Sequence, residues 1–149
     1  MMVHGSCAAR SGEAVLFLGA PGAGKSDLVL RLIDRGWILV ADDQVELSAE
    51  GGQLLADSPI ALRGLLEVRG LGILAGQPVQ GRAPLRLVVD CLPRADIPRL
   101  PHPARFESQG IAVPRLALHA HDASAGVKVE CALALATGRR LSQAGAFAA

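Results

Sequence analysis

An α/β fold is predicted for this chain by three observations. A short apolar run, Ala14-Val15-Leu16-Phe17-Leu18, leads through a glycine-rich stretch, 19–26, into a helical pattern. Further short apolar runs, separated by Gly, Pro and polar turns, recur down the chain as strands do. Only two stretches, 27–35 and 127–136, carry a helical reading.

The glycine-rich stretch, Gly19-Ala20-Pro21-Gly22-Ala23-Gly24-Lys25-Ser26, matches the phosphate-binding loop Gly-x-x-x-x-Gly-Lys-Ser. Its glycines let the backbone curl so that successive N–H groups point at phosphate oxygens. The following helix adds the positive end of its dipole. Lys25 is placed to reach β- and γ-phosphates, and the Ser26 hydroxyl to bind Mg²⁺. The flanks agree. Leu28 and Leu32, like Val29 and Ile33, recur four apart; Asp27, Arg31, Asp34 and Arg35 supply the polar side; Gly36 ends the helix. The expectation is a site for ATP with Mg²⁺.

Composition narrows the rest. With 149 residues, half of them hydrophobic, one domain over 1–149 is expected. Three Phe, one Trp and no Tyr leave the core to Leu, Val, Ile and Ala, and provide no stacking surface for single-stranded nucleic acid. A formal net charge of +1 supplies no bulk field toward nucleic acid or a membrane. Cys7, Cys91 and Cys131 are far apart and odd in number, which points to reduced, mostly packed thiols. No apolar run approaches a membrane span, and the N-terminus shows no signal-peptide pattern, so a cytoplasmic location is expected.

In order along the chain, 3–9 reads as a weak strand, paired through the turn Arg10-Ser11-Gly12-Glu13 with the run at 14–18. Trp37–Ala41 is a strand closed by Asp42-Asp43, where phosphate-loop proteins place Mg²⁺-side carboxylates. Successive side chains on a strand alternate, so the two aspartates should have different partners. Val45–Ser48 and Gln53–Ala56 form a hairpin about Gly51-Gly52. In Leu65–Leu74, Glu67 and Arg69 interrupt apolar residues ahead of Gly70 and Gly72; this reads either as charges held beside a ligand or as an alternating strand with a bulge. Leu85–Val89 is a strand ending at Asp90, and the four prolines between 93 and 103 mark a loop. Ile111–Val113 and Leu116–His119 are strand pieces around Pro114. His119 and His121 share a strand face, but no nearby Cys or Glu completes a metal site. Ser124 is placed to N-cap a last helix over 127–136, stopped by Gly138.

Taken together, the phosphate loop, then Val40-Ala41-Asp42-Asp43, then Leu66-Glu67-Val68-Arg69-Gly70-Leu71-Gly72-Ile73 resemble the HPr kinase/phosphorylases. These are bacterial enzymes that phosphorylate a seryl residue of HPr, a small phosphocarrier of the sugar phosphotransferase system. The resemblance runs from His4 to about Glu130 and is to the C-terminal kinase domain, the short form without the usual N-terminal domain. It implies a mixed β-sheet with flanking hairpins and few helices. It further implies ATP and Mg²⁺, an HPr-like protein substrate, and a homo-oligomer, hexameric by resemblance. It assigns His4 as the active-site histidine, Lys25 as catalytic, and Ser26 and Glu67 as Mg²⁺ ligands. The Asp42-Asp43 pair holds the base, with Asp43 the first choice and Asp42 the second. Arg99 matches a catalytic arginine approximately, in a shortened loop.

Near the C-terminus the family carries a Pro-Gly-Arg-Asn loop tied to dephosphorylation. His121–Gly126 replaces it here without an arginine and with Asp122, whose charge would repel incoming phosphate, so phosphorylase activity is expected to be weak or absent. Lys128 is close enough in sequence to compensate in part. The rival readings are a small-molecule kinase, a non-enzymatic nucleotide-gated binding module and a pure interaction protein. The first needs a lid and a basic substrate anchor, and the arginines here are scattered.

Overall fold

The computed structural model describes residues 1–148. Its strands are β1 (Met2–His4), β2 (Ser6–Arg10), β3 (Glu13–Leu18), β4 (Ile38–Ala41), β5 (Gln44–Glu50), β6 (Gln53–Asp57), β7 (Leu66–Val68), β8 (Gly72–Leu74), β9 (Ala83–Cys91), β10 (Ala104–Ser108) and β11 (Ile111–Leu118). The α-helices are α1 (Lys25–Asp34), between β3 and β4, and α2 (Ala125–Ala136), at the end. Nine strands form one mixed sheet; β7 and β8 form a separate small hairpin.

β9 is the branch point of that sheet. On one flank it runs parallel to β3, and on the other it is shared between β6, antiparallel at Ala83 and Pro84, and β11, parallel from Val88 to Cys91. Such a strand is buried on both faces, and this explains the near-continuous apolar runs in β3 and β9. Alternation, with a register shift that leaves Arg86 unopposed in β9, separates two cores. Val15 and Phe17 of β3 and Leu87, Val89 and Cys91 of β9 face α1 and α2, where Leu28, Leu32, Val129 and Leu133 cover them. Ala14 and Leu16 of β3 and Leu85 and Val88 of β9 face the other way. There the cover is Val45 and Leu47 of β5 and Leu54 and Ala56 of β6, so the sheet curls onto itself.

The expected strand over 3–9 breaks in two at Gly5. β1 pairs with β5, whereas β2 pairs with β3 and β4. A Cβ at Gly5 would lie 2.6 Å from the Phe17 carbonyl oxygen, so only glycine passes here. The Gly51-Gly52 hairpin is as expected, with both residues at positive φ.

Other expectations need correction. Pro114 does not split its strand: β11 is continuous through it. Pairing with β9 begins only at Arg115, so Pro114 lies where that flank is open and a missing N–H is tolerated. β10, unforeseen, pairs with β11 about Gln109-Gly110, both at positive φ. Ser124 occupies the N-cap position of α2, but its side chain makes no capping hydrogen bond. His119 and His121 lie in the loop after β11, not on a strand.

Candidate active site

The site lies where β3 and β4 end and α1 begins. Residues 19–24 turn back over the start of α1, whose N-cap, Gly24, has φ +97°. Leu28 N–H donates to the Gly24 carbonyl at 2.9 Å, closing the first helical turn. Lys25 Nζ donates to the Gly19 and Ala20 carbonyls at 2.6 and 3.1 Å. The ammonium thus sits over the loop's own oxygens, at the mouth that the motif reserves for phosphate.

Asp42 and Asp43 diverge, but not by strand alternation: they form the turn between β4 and β5, and the left-handed backbone of Asp43 sets its direction. Asp42 is buried. Its Oδ1 accepts from the Ser6 hydroxyl at 2.7 Å and the Ser26 hydroxyl at 2.8 Å, and its Oδ2 accepts from the Glu67 N–H at 3.0 Å. One carboxylate therefore ties β2, the phosphate loop and the β7–β8 hairpin together. Asp43 takes a left-handed conformation, φ +71°, and turns outward. Its Oδ1 lies 3.5 Å from His4 Nδ1, both side chains being 61% exposed. Their backbones are tied as well, since Gly5 N–H donates to the Asp43 carbonyl at 3.1 Å.

The structure thus brings together Lys25, Ser26, Asp42 and the backbone of Glu67, with Asp43 and His4 on the outer side of the same strand end. Arg99 stands apart in the exposed loop before β10. The donors around Asp42 are all oxygen: a buried carboxylate, a serine hydroxyl and the exposed Glu67 carboxylate carried on the adjoining backbone. Among the described residues no group of three or more His, Cys, Asp or Glu forms a metal cage. An all-oxygen set of this kind is the sort of site in which Mg²⁺ is held, by one or two carboxylates together with substrate phosphates and water.

Three residues escaped the sequence reading. Ser6 reaches Asp42 across 36 positions, and only strand pairing puts it there. His121 Nε2 lies 3.1 Å from the Gly22 carbonyl, on the phosphate loop itself. Arg31 of α1 bonds the Ala120 and Asp122 carbonyls, the latter at 3.2 Å. Asp122 corrects an expectation, because it is no free negative charge. Arg94 pairs with its Oδ1, and Lys128 Nζ lies 3.8 Å from its Oδ2. Of the two grounds for a weak phosphorylase reaction, repulsion by Asp122 falls away; the lack of an arginine within 121–126 stands.

With this geometry the chain compares closely with known proteins. A family model described as the HPr Serine kinase C-terminal domain matches residues 1–88. An HPr kinase/phosphorylase of Caldicellulosiruptor bescii is 38% identical over 117 residues, 78% of this chain and 35% of the relative. One of Bordetella pertussis is 47% identical over 85 residues, 56% of this chain and 28% of the relative. The matches span about a quarter to a third of such relatives. The solved structure of the Hpr(Ser) kinase/phosphatase from Coxiella burnetii superposes with a TM-score of 0.78 at 26% identity, over 88% of this chain and 92% of that one. The matched residues carry β1, the phosphate loop, the Asp42-Asp43 pair and the β7–β8 hairpin, and on that basis the chain belongs to the HPr serine kinase C-terminal domain family.

Proposed function

We propose that residues 1–149 act as one catalytic domain that transfers the γ-phosphoryl group of ATP, with Mg²⁺, to a seryl hydroxyl of an HPr-type phosphocarrier protein. The observation that carries this reading is the division of labour between adjacent aspartates. Asp42 is bonded to the Ser26 hydroxyl of the phosphate loop, and Asp43 is exposed beside His4. A buried carboxylate next to the loop serves the metal side. An exposed one is open to a hydroxyl arriving on another protein.

Lys25 exchanges the Gly19 and Ala20 carbonyls for phosphate oxygens. Ser26, Asp42 and Glu67 would hold Mg²⁺, which offsets charge between the β- and γ-phosphoryl groups when bound. Asp43 orients the seryl O–H and accepts its proton, and His4 steadies Asp43. The seryl oxygen bonds to the γ-phosphorus and stays there, the P–O bond to the β–γ bridging oxygen breaks, and ADP leaves with the bridging oxygen. Arg99 is assigned to charge on the transferring group, from its exposed loop. A homo-oligomer, hexameric by resemblance, and a cytoplasmic location complete the proposal; among the described residues no helix is long and apolar enough to cross a membrane.

The test is incubation with γ-labelled ATP, Mg²⁺ and an HPr-type phosphocarrier. Label should appear as phosphoserine, and Lys25→Ala should abolish it. Nucleotide binding without transfer to any acceptor would instead establish a nucleotide-gated module. In the same assay run backward, phosphoserine carrier and inorganic phosphate should yield pyrophosphate more slowly than the forward reaction proceeds.

A further inference from the structure

The loop between β11 and α2 leans on the phosphate loop through one side chain. His121 Nε2 is 3.1 Å from the Gly22 carbonyl oxygen. A carbonyl only accepts, so the ring nitrogen donates, in either the Nε2–H tautomer or the imidazolium. The ring also lies flush against the next turn of the loop. A Cβ added at Gly24 would stand 2.9 Å from His121 Cε1 and 3.2 Å from Nδ1. Gly24 thus gives the imidazole room.

This hydrogen bond has a consequence inside the loop. The Gly22–Ala23 peptide is trans, so its C=O and N–H point in opposite directions. With the Gly22 oxygen held toward His121, the Ala23 N–H points to the opposite side, where it donates to the Ala20 carbonyl at 3.0 Å. Lys25 donates to that same Ala20 oxygen. The Gly22–Ala23 peptide is thus held at both ends, its oxygen by His121 and its N–H by the Ala20 carbonyl, and a phosphate oxygen that takes the Ala23 N–H or the Lys25 ammonium replaces that carbonyl. Gly22 has φ +82° and a Cβ there would meet nothing, so apart from the Ala23–Ala20 hydrogen bond it is His121 that limits rotation of the peptide.

His121 is itself pinned. Arg31 bonds the carbonyls of both flanking residues, Ala120 and Asp122. Asp27 holds the Arg31 Nε at 3.0 Å from one helical turn earlier. Asp122 N–H closes a turn onto the His119 carbonyl at 3.1 Å, and its side chain is paired with Arg94. The helix that starts at the phosphate loop therefore reaches across and sets the residue that holds the loop.

We propose that His121 is a positioning residue for the nucleotide, fixing the Gly22–Ala23 peptide with its N–H on the side away from the imidazole, and that Arg31 acts through it. The inference rests on the ATP-binding reading of residues 19–26. It makes His121 a determinant of nucleotide affinity and leaves the chemical step to Lys25 and Asp43.

Calorimetry with MgATP and steady-state transfer to the phosphocarrier test it. His121→Ala should raise both Kd and KM for ATP about fivefold, the loss of one neutral hydrogen bond, with kcat within about twofold. His121→Gln, whose amide N–H reaches the same carbonyl, should restore most of the affinity. Arg31→Ala should weaken binding similarly, and the double variant should be no weaker than His121→Ala alone, since coupled residues are not additive. A merely structural role would lower the melting temperature and the active fraction without this KM–kcat split or the rescue. Unchanged ATP affinity in His121→Ala, or a glutamine variant as weak as alanine, overturns the proposal. Absence of MgATP binding by the unaltered chain would overturn the ATP reading itself, a separate outcome.

Discussion

Asp42 and Asp43 differ by one position and by almost everything else. Asp42 is buried and accepts three hydrogen bonds, from Ser6, Ser26 and Glu67. Asp43 is exposed, with one neighbour of note, His4. Asparagine keeps the shape and removes the charge, so the two substitutions should part company. Asp43→Asn should lower transfer by about 10²–10⁴-fold, the worth of a general base, and leave ATP affinity intact. Asp42→Asn should shift the Mg²⁺ dependence to higher concentration. It should also cost about 1–3 kcal/mol of stability, because an amide N–H₂ must then take the place of either the oxygen that accepts from two hydroxyls or the one that accepts from the Glu67 N–H. Transfer rates over a Mg²⁺ titration, with thermal melts, separate the cases; matching defects would refute the division.

At the scale of elements, α2 is fastened to the rest by its apolar face and by one carboxylate. Glu130 Oε1 accepts from Arg35 Nε at 2.9 Å and from Trp37 Nε1 at 3.4 Å, and Arg10 NH1 lies 3.5 Å away. The Arg35 hydrogen bond, chiefly, holds the Glu130 carboxyl below the usual carboxylate range. A lowered folded-state pKa means that the contribution is complete above the unfolded value, about 4.3, and is lost as pH falls through the lower folded value. Glu130→Gln should therefore cost about 1 kcal/mol near pH 7, a fall of about 2–4 °C in melting temperature. The gap from the unaltered chain should begin to narrow below that unfolded value and close as pH falls through the lower folded one. Melts between pH 3 and 7 measure it, and a gap independent of pH would contradict the assignment.

Over the whole molecule, the two-sided sheet controls which cysteines react. Cys7, on β2, points into the core inside the curl, and Cys91, at the end of β9, into the core under the helices. Burial raises both thiols, Cys91 to about 11 despite the opposing charge of Lys25, so neither supplies thiolate at neutral pH. Cys131, on α2, is partly exposed. A thiol reagent should modify one cysteine per native chain rapidly and the other two only as fast as the fold opens; in denaturant all three should react alike. Rapid labelling of Cys91 would show that the sheet end near the phosphate loop opens locally. For the core itself, Phe17, Leu16 and Leu87 are fully buried, the setting in which truncation to Ala costs about 2–5 kcal/mol.

What this sequence determines alone is whatever depends on a few neighbouring residues. The phosphate loop, the Gly51-Gly52 hairpin and the limits of α1 follow from backbone freedom at glycine and from the helix period, whereas Asp42 and Asp43 part at the β4–β5 turn, where Asp43 is left-handed, and not by strand alternation. The position of Lys25 and Ser26 follows from the same local geometry. Tertiary structure decided what depends on register between distant strands. The chain splits at Gly5 because β1 and β2 find different partners. Pro114 stays within a strand because its flank is open. Ser6 meets Asp42 36 positions away, and His121 meets Gly22 99 positions away. Neither pair has a periodicity or spacing that could announce it. Their contacts exist because β9 accepts β3 on one edge and β11 on the other, which delivers the loop after β11 to the loop after β3. That choice of strand neighbours is a property of the packed sheet and its two cores, not of any short stretch of chain.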